Sequence, residues 1–332
     1  MNLETQPPDS LLFYKEHIPT PISQVEDLFI PYAVGAKPVL KWAGGKSALM
    51  GQLIPLLPDD LICSSRVTYF EPFAGGGAMF FTISQMFDIQ KAFLFDINAD
   101  LILTYRVIQE NIHDLITELY ATSKRYLNLN DEQRARFYYE QRKEFNENRT
   151  SQNSVTRAAQ LIFLNKTCFN GLYRVNSRGE FNTPIGAYVA PKILDAENLL
   201  AAHRVLQIAE IACTNYTEVL KLADSNSFVY FDPPYRPLNA TSNFNSYAAE
   251  TFDDTSQMAL AQVFTNLDAK GTKVMLSNSD PKNHDPADNF FDNLYANFNI
   301  HRIHAKRMIN SNASKRGEIR EMVITNYNNY HG

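Results

Sequence analysis

The stretch that most constrains this chain is Ser227-Phe228-Val229-Tyr230-Phe231-Asp232-Pro233-Pro234-Tyr235. Phe228 to Phe231 read as a buried strand, since the run is β-rich and too short for a helix. Pro233 and Pro234 lack N–H groups and end strand pairing at once. The result is a rigid loop at a strand's C-terminal end, where open α/β sheets bind ligands. Asp232 brings an acceptor-only carboxylate, the prolines fix the direction of their carbonyls, and Tyr235 offers a flat face. A planar amine could donate one hydrogen to the carboxylate and another to a carbonyl while stacking on the ring, and adenine N6 fits that description. A plain strand-ending turn uses the same residue types, so the rest of the chain must decide.

Upstream, Val67 to Phe70 forms a second strand pattern that runs into Glu71-Pro72-Phe73-Ala74-Gly75-Gly76-Gly77-Ala78 and then an apolar helix from Met79 to Met86. Strand, glycine turn and helix make a nucleotide-binding layout. The spacing departs from G-x-G-x-x-G, which weakens a dinucleotide reading. A further strand, Ala92 to Phe95, ends in Asp96, about 20 residues past the glycines, where an acid commonly accepts ribose hydroxyls. An adenosine cofactor without a pyrophosphate suits this set, and S-adenosylmethionine is such a molecule. Lys41-Trp42-Ala43-Gly44-Gly45-Lys46-Ser47 is not a P-loop, because position 40 is Leu where that motif requires Gly. Trp42 provides a stacking face and Lys46 a cation that can pair with a carboxylate; a capping turn with Trp42 in the core is the plainer alternative.

Between these segments and Asp232 the chain changes character. Arginines and lysines recur among aromatics over residues 121–205, a pattern also expected of a solvated helical face. It ends in Phe169-Asn170-Gly171-Leu172-Tyr173-Arg174-Val175-Asn176-Ser177-Arg178-Gly179-Glu180-Phe181-Asn182-Thr183-Pro184, read as two short strands turning at Ser177-Arg178-Gly179. Such a hairpin suits a duplex groove, where arginine reads guanine and aromatics wedge into base steps. One helix is expected from Ala99 to Tyr120, capped by Asn98, and a strand from Leu206 to Ala212. A helix capped near Asp253 and ended by Gly271 follows, then a strand at Lys273 to Ser277 and paired strands at 299–305 and 322–327. The basic, Asn/Ser-rich loop at 306–320, with Lys315 and Arg316, suits a phosphate backbone.

Composition sets outer limits. The 332 residues are 45% hydrophobic and 20% charged, enough for a sizeable core in an ordinary globular protein. No apolar run reaches the ~20 residues of a membrane span, and the polar start of the chain does not read as a signal peptide. Three scattered cysteines without CxxC spacing argue against disulfides and zinc and fit a reducing cytoplasm. The net charge of −5 speaks against nucleic acid, although phosphates respond to a local basic stripe rather than to the total.

The order of these segments resembles the Dam-like, alpha-group DNA adenine-N6 methyltransferases over about Lys41 to Tyr327, with the GATC-specific members most similar through Phe-Asn-Gly-Leu-Tyr-Arg and the Pro-Leu-Asn-Ala-Thr-Ser-Asn-Phe after Tyr235. The resemblance implies an α/β fold: a Rossmann-like methyltransferase sheet with helices on both faces, plus an inserted, mostly helical target-recognition domain carrying a β-hairpin. The divisions are an N-terminal extension (1–36, with a short helix about Ile22 to Phe29), a first, cofactor-binding catalytic segment (37–120), the target-recognition domain (121–205) and a second catalytic segment with the Asp-Pro-Pro-Tyr loop (206–332). It implies Asp232, Pro233, Pro234 and Tyr235 as the catalytic loop. Trp42, Lys46, Phe73, Gly75, Gly77, Asp96, Asn215 and Asp232 would surround S-adenosylmethionine. Lys41, Phe169, Asn170, Leu172, Arg174, Pro184, Lys315 and Arg316 would meet double-stranded DNA, with Arg174 reading guanine, Lys41 at the first guanine and Phe169 intercalated. Asn215 replaces an acid found in several relatives, and Phe169 a tyrosine found in some. No metal is implied. A monomer is expected, with a restriction endonuclease acting on the same site as a candidate partner. Cytosine-N4 methylation uses the same geometry, but that class usually has Ser in place of Asp232. RNA or protein-amide methylation, a non-catalytic DNA-binding module and an NAD-dependent oxidoreductase are the remaining alternatives.

Overall fold

In the computed structural model the described residues are 35–59, 61, 67–149, 153–236, 252–306 and 318–328. The expected helix about Ile22 to Phe29, nearly all of the N-terminal extension, the stretch after Arg236, and Lys315 and Arg316 lie outside them. Seven strands form one sheet: β1 (Thr68–Glu71), β2 (Lys91–Asp96), β3 (Ala209–Cys213), β4 (Ser227–Phe231), β5 (Lys273–Ser279), β6 (Asn299–Lys306) and β7 (Glu318–Thr325). Their order is β3-β2-β1-β4-β5-β7-β6. β3, β2, β1, β4 and β5 run parallel to one another, and β7 runs antiparallel between β5 and β6.

Side chains alternate across the central strands, and each face has its own core. Tyr69, Ala92, Leu94, Phe228 and Tyr230 join one hydrophobic cluster, whereas Phe70, Phe93, Phe95, Val229 and Phe231 join the other. Helices cover both faces because both sets are apolar. On the first face lie α1 (Ala78–Met86), α2 (Ala99–Glu110), α3 (Ile112–Leu127), α4 (Asp131–Glu147), α5 (Ser154–Thr167) and α6 (Ala196–Leu206). On the second lies α7 (Asp254–Asp268), with the helical turns Val219–Leu222 and Phe290–Leu294. The sheet winds outward from β1 through β2 to β3 on one side and from β4 to β5 on the other. The strand ends of β1 and β4 therefore flank the switch point, where a crevice opens outside the carboxyl ends. Among the described residues no helix is long and apolar enough to cross a membrane.

Several boundaries differ from the sequence expectation, among them that of β7, which runs Glu318–Thr325 where a strand was expected at 322–327. The helix expected from Ala99 to Tyr120 is two helices, broken at Asn111 (φ −130°, ψ 39°), and the second runs on to Leu127. Asparagine competes locally for backbone hydrogen bonds, which makes it a natural break point. The strand expected from Leu206 begins at Ala209, because Leu199, Ala202 and Leu206 share the buried stripe of α6. The recognition hairpin is held by the isolated bridges Cys168↔Ile185 and Val175↔Phe181 rather than by two regular strands. A 3-10 turn at Phe169–Gly171, with Asn170 left-handed (φ 56°), interrupts the ladder. The turn at 177–179 stands, with Gly179 at φ 74° and its N–H donating to the Asn176 carbonyl at 2.8 Å. The Asn98 and Asp253 caps form as expected, accepting from Leu101 and Ser256 N–H groups.

Glu71, at the end of β1, is fully enclosed. It accepts hydrogen bonds from the Tyr69 hydroxyl (2.8 Å) and the Phe80 N–H (3.0 Å) on one oxygen. Burial drives its carboxyl from 4.5 up to about 8, against the opposing effect of these donors. A carboxyl whose folded value is raised favours the fold fully below the unfolded value and loses that contribution as pH climbs through the folded one. Wild-type stability relative to Glu71→Gln should thus be greatest below pH 4.5 and decline up to about pH 8. Thermal melts of both proteins across that range check this, and parallel pH curves would show that Glu71 keeps its ordinary titration.

Candidate active site

Two motifs far apart in sequence meet at the switch point. Gly44 (φ 73°) turns the chain so that Lys46 points inward, only 2% exposed, just before the helical turn Ser47–Leu49. Its ammonium lies 2.6 Å from Asp232 Oδ1 and donates to the Gly44 carbonyl at 2.7 Å. The same nitrogen stands 4.9 Å from the Tyr235 ring centroid, over its negative face, and 3.9 Å from Glu321 Oε2 on β7. Burial raises the Asp232 carboxyl, and Lys46 pulls it back towards ionisation by charge and by hydrogen bond. Burial raises the Glu321 carboxyl too, with Lys46 and Tyr235 opposing. Burial also raises the Tyr235 hydroxyl far above its usual range, and the Asp232 and Glu321 charges add to this.

The loop itself is braced from behind. Gln257 on α7 donates to the Pro234 carbonyl at 3.2 Å, and Asn278 on β5 donates to Gln257 Oε1 at 3.2 Å. Arg236 forks onto Asp254 (2.5 and 2.9 Å) and reaches Asp288 (2.6 Å), tying the loop exit to the first turn of α7. An arginine–carboxylate fork of this kind is directional as well as attractive.

Beside this pair runs a cleft edge built by the glycine turn. Asp96 accepts the Gly75 N–H on one oxygen (3.1 Å) and the Asn98 N–H on the other (2.8 Å). Burial raises its carboxyl, and these backbone donors counteract that. Gly75 sits at φ 46°, and a Cβ there would come within 2.9 Å of Trp42 Cδ1. Only glycine lets the turn lie this close to the indole. Phe73 stacks on Tyr216 (5.1 Å, 25°) and meets Phe252 edge-on (5.7 Å), forming an aromatic wall. Ile97, directly after Asp96, is 63% exposed. Asn215 is exposed, and its side chain caps the next turn by accepting from the Thr217 N–H (3.0 Å). A glycine cradle, an acid at the strand end, aromatic faces and an exposed aliphatic make a donor set that fits an adenosine bearing a sulfonium. A groove of about 650 Å³ beside β3, lined among others by Arg106, Glu110 and Glu210, contains none of these residues.

The hairpin is anchored to the same loop. Trp42 stacks on Tyr173 at 5.1 Å and 22°. Asn165, at the end of α5 and 1% exposed, accepts from the Lys41 N–H (2.8 Å) and donates to the carbonyls of Lys41 (2.9 Å) and Gly171 (3.0 Å). Lys41 is exposed, with its ammonium 5.5 Å from the Tyr188 ring. Phe169 is 54% exposed, Asn170 is exposed and left-handed, and Leu172 is half-buried. Arg174 Nε donates to Asn182 Oδ1 at 2.7 Å, so one side of the guanidinium is held by the opposite arm of the hairpin. The carbonyl of the exposed Pro184 accepts the Phe169 N–H at 2.9 Å.

The structure thus brings Lys46 onto the Asp232–Tyr235 loop and Trp42 and Asp96 onto Gly75, and it ties Lys41 to the segment that carries Phe169, Asn170, Leu172 and Arg174. Sequence reasoning missed Glu71, Asn165, Asn182, Gln257 and Glu321 as parts of these sites. Glu71 and Asn182 lay inside motifs already singled out. Glu321 carried no signal of its own, since it follows Glu318 and Arg320 in the polar first half of its strand.

Comparison with known proteins agrees with this geometry. A profile of the D12 class N6 adenine-specific DNA methyltransferases matches residues 42–309. The chain is 47% identical over 292 residues to Type II methyltransferase M.MjaIII of Methanocaldococcus jannaschii, covering 88% of this chain and 99% of that protein. It is 38% identical over 299 residues to Type II methyltransferase M1.LlaDCHI of Lactococcus lactis, covering 89% and 97%. It is 34% identical over 284 residues to the DNA adenine methylase of Escherichia coli K12, covering 86% and 93%.

Asn165 yields a direct test of how the two surfaces are joined. Asn165→Ala leaves three backbone groups of Lys41 and Gly171 without their side-chain partner, at a cost on the order of 1–3 kcal/mol for each buried group left unsatisfied. Asn165→Asp retains only the accepting role. Urea denaturation should place wild type above both variants, with Asp gaining nothing over Ala because its carboxylate would face two carbonyls, and equal midpoints would show that the amide is dispensable.

Proposed function

Because the chain belongs to the D12 class of N6 adenine-specific DNA methyltransferases, we propose that it moves the methyl group of S-adenosylmethionine to adenine N6 within GATC in double-stranded DNA, after flipping the base out of the stack. The observation that carries this reading is the contact of Lys46 with Asp232, which unites the glycine-turn region with the Asp-Pro-Pro-Tyr loop at the sheet's switch point. When bound, S-adenosylmethionine supplies an electrophilic methyl on a sulfonium. Trp42, Phe73, Gly75, Gly77 and Asp96 would hold it, with Asn215 at the rim of the adenine end. Lys46, paired with Asp232, would border the same pocket together with that carboxylate.

A target adenine inside a duplex is unreachable without extrusion. Its N6 lone pair is delocalised into the ring and weakly nucleophilic. Asp232 and the Pro233 carbonyl would accept its two hydrogens, holding the nitrogen nearer tetrahedral geometry, while Tyr235 stacks on the ring. With the amine so placed, N6 would be directed at the methyl that the bound cofactor supplies, and the Asp232 carboxylate would take the proton that N6 gives up. Positioning of this kind supplies much of the acceleration. Residues 121–205 would act as the target-recognition domain between the two catalytic segments. Phe169 would wedge between bases, Asn170, Leu172 and Pro184 would line the groove, Lys41 and Arg174 would read guanines, and Lys315 and Arg316 would follow the phosphates. Two relatives are named type II methyltransferases, which supports a cognate restriction endonuclease for a monomeric cytoplasmic enzyme.

Labelled S-adenosylmethionine and adenine-bearing duplexes test the assignment. Asp232→Ala should nearly abolish transfer while leaving duplex binding, and near-wild-type turnover by this variant would refute the site. Arg174→Ala should relax discrimination at one guanine by about tenfold or more, since a bidentate arginine–guanine pair is worth roughly 1–3 kcal/mol. An equal fall on all sequences would make Arg174 a phosphate contact instead.

A further inference from the structure

Glu321 is placed where an apolar residue would be expected. It sits on β7, which is enclosed between β5 and β6, and it pairs in register with Ser279 and Ile303. Its side chain is 12% exposed. Met322, Val323 and Ile324, which follow it on the strand, are fully buried. An acid in such a position is costly unless it is paired. Glu321 Oε2 and the Tyr235 hydroxyl are buried with no partner in full hydrogen-bond geometry, although the hydroxyl is near enough to favour the ionised Glu321 carboxylate. Buried polar atoms left unsatisfied in a well-packed region call for a specific reason.

The reason is next to them. An ammonium has three N–H groups. Lys46 directs hydrogen bonds to the Gly44 carbonyl and to Asp232 Oδ1, and Glu321 Oε2 lies 3.9 Å away from the same nitrogen. A swing of about 1 Å would bring that oxygen into hydrogen-bond range without loss of the Gly44 anchor. Lys46 is therefore poised between two carboxylates that present different faces to the crevice.

We propose that Glu321 is a positioning residue for methyl transfer, receiving the Lys46 ammonium when the Asp232 carboxylate turns to the amino group of the target base. With Lys46 held on Asp232, the cation draws electron density from the oxygen that must accept from N6. Moved to Glu321, it leaves Asp232 a stronger acceptor and keeps the net charge of the crevice unchanged. The same move satisfies Glu321 Oε2.

This proposal rests on the reading of Asp232 as the acceptor for the amine, so Asp232→Asn is measured alongside. Single-turnover transfer from labelled S-adenosylmethionine to an adenine-bearing duplex is compared for wild type, Glu321→Gln and Glu321→Leu, together with dissociation constants for duplex and cofactor. Gln keeps an oxygen that can accept from Lys46 and should stay within about threefold of wild type, whereas Leu, of similar volume, should slow transfer about 100-fold, the scale seen when one aimed polar group is lost from a reacting site. Both dissociation constants should hold. Equal rates for Gln and Leu, or a loss confined to binding, would overturn the proposal. If Asp232→Asn transfers normally, the reading of the site itself fails; if it is inactive while Glu321→Leu transfers like wild type, only the hand-off fails. Should Glu321→Leu not fold, a crystal structure of the wild type with duplex and the inert cofactor analogue sinefungin decides. Lys46 Nζ within hydrogen-bond distance of Glu321 supports the hand-off, and Lys46 still on Asp232 refutes it.

Discussion

One buried ammonium holds the crevice of this methyltransferase together. Lys46 stands among Asp232, Glu321 and Tyr235, and its charge also lowers the pKa of Glu71. A lone carboxylate in such surroundings would protonate rather than remain charged, since desolvation penalises the ionised form. Three acids near one cation cannot all be neutralised by it, and each of Glu71, Asp232 and Glu321 is indeed raised by burial. Glu71 is the most enclosed and resolves the excess by holding its proton at neutral pH. Asp232 has the direct ion pair and is the acid best kept ionised. Removing either partner of such a pair is far more damaging than its net stabilisation suggests, because the survivor is left buried and charged.

The sheet explains why this cluster exists at all. Glu71 ends β1 and Asp232 follows β4, and these neighbouring strands lie on either side of the point where the winding reverses. The connections leave in opposite directions there, so the strand ends open onto a crevice. Lys46 arrives from a glycine-bearing loop that the strands do not include. That loop is also attached to the hairpin, through Trp42 on Tyr173 and through Asn165 between Lys41 and Gly171. The lysine facing Asp232 and the lysine at the edge of the hairpin are thus carried by one short segment, Lys41 to Lys46. The hairpin and the crevice are thereby joined by direct packing and hydrogen bonds.

Much of this was legible before any coordinates. Short β-rich runs such as Thr68–Glu71 and Ser227–Phe231 announced strands, and Asn98 and Asp253 announced helix starts, because these signals act between residues near in sequence. The break at Asn111 and the late start of β3 were not legible, since both depend on which neighbouring helix a stripe packs against. Asp232 and Lys46 were each recognisable as chemistry-bearing residues from their own motifs. Asn165 and Glu321 were not, because an asparagine on a helix and a glutamate on a strand acquire meaning only from what faces them.

The sequence alone determined the local vocabulary: strand, glycine turn, proline-stiffened loop and aromatic hairpin, all specified by backbone sterics and side-chain periodicity over a few residues. The tertiary structure decided which charges meet. Lys46 and Asp232 are separated by 186 positions, and the strength of their interaction depends on distance and on exclusion of water, neither of which is encoded within either segment. Burial, likewise, is a property of the whole packed sheet. It moves Glu71, Asp232 and Glu321 away from their ordinary ionisation, and it does so only once β1, β4 and β7 have been gathered into one sheet around one lysine.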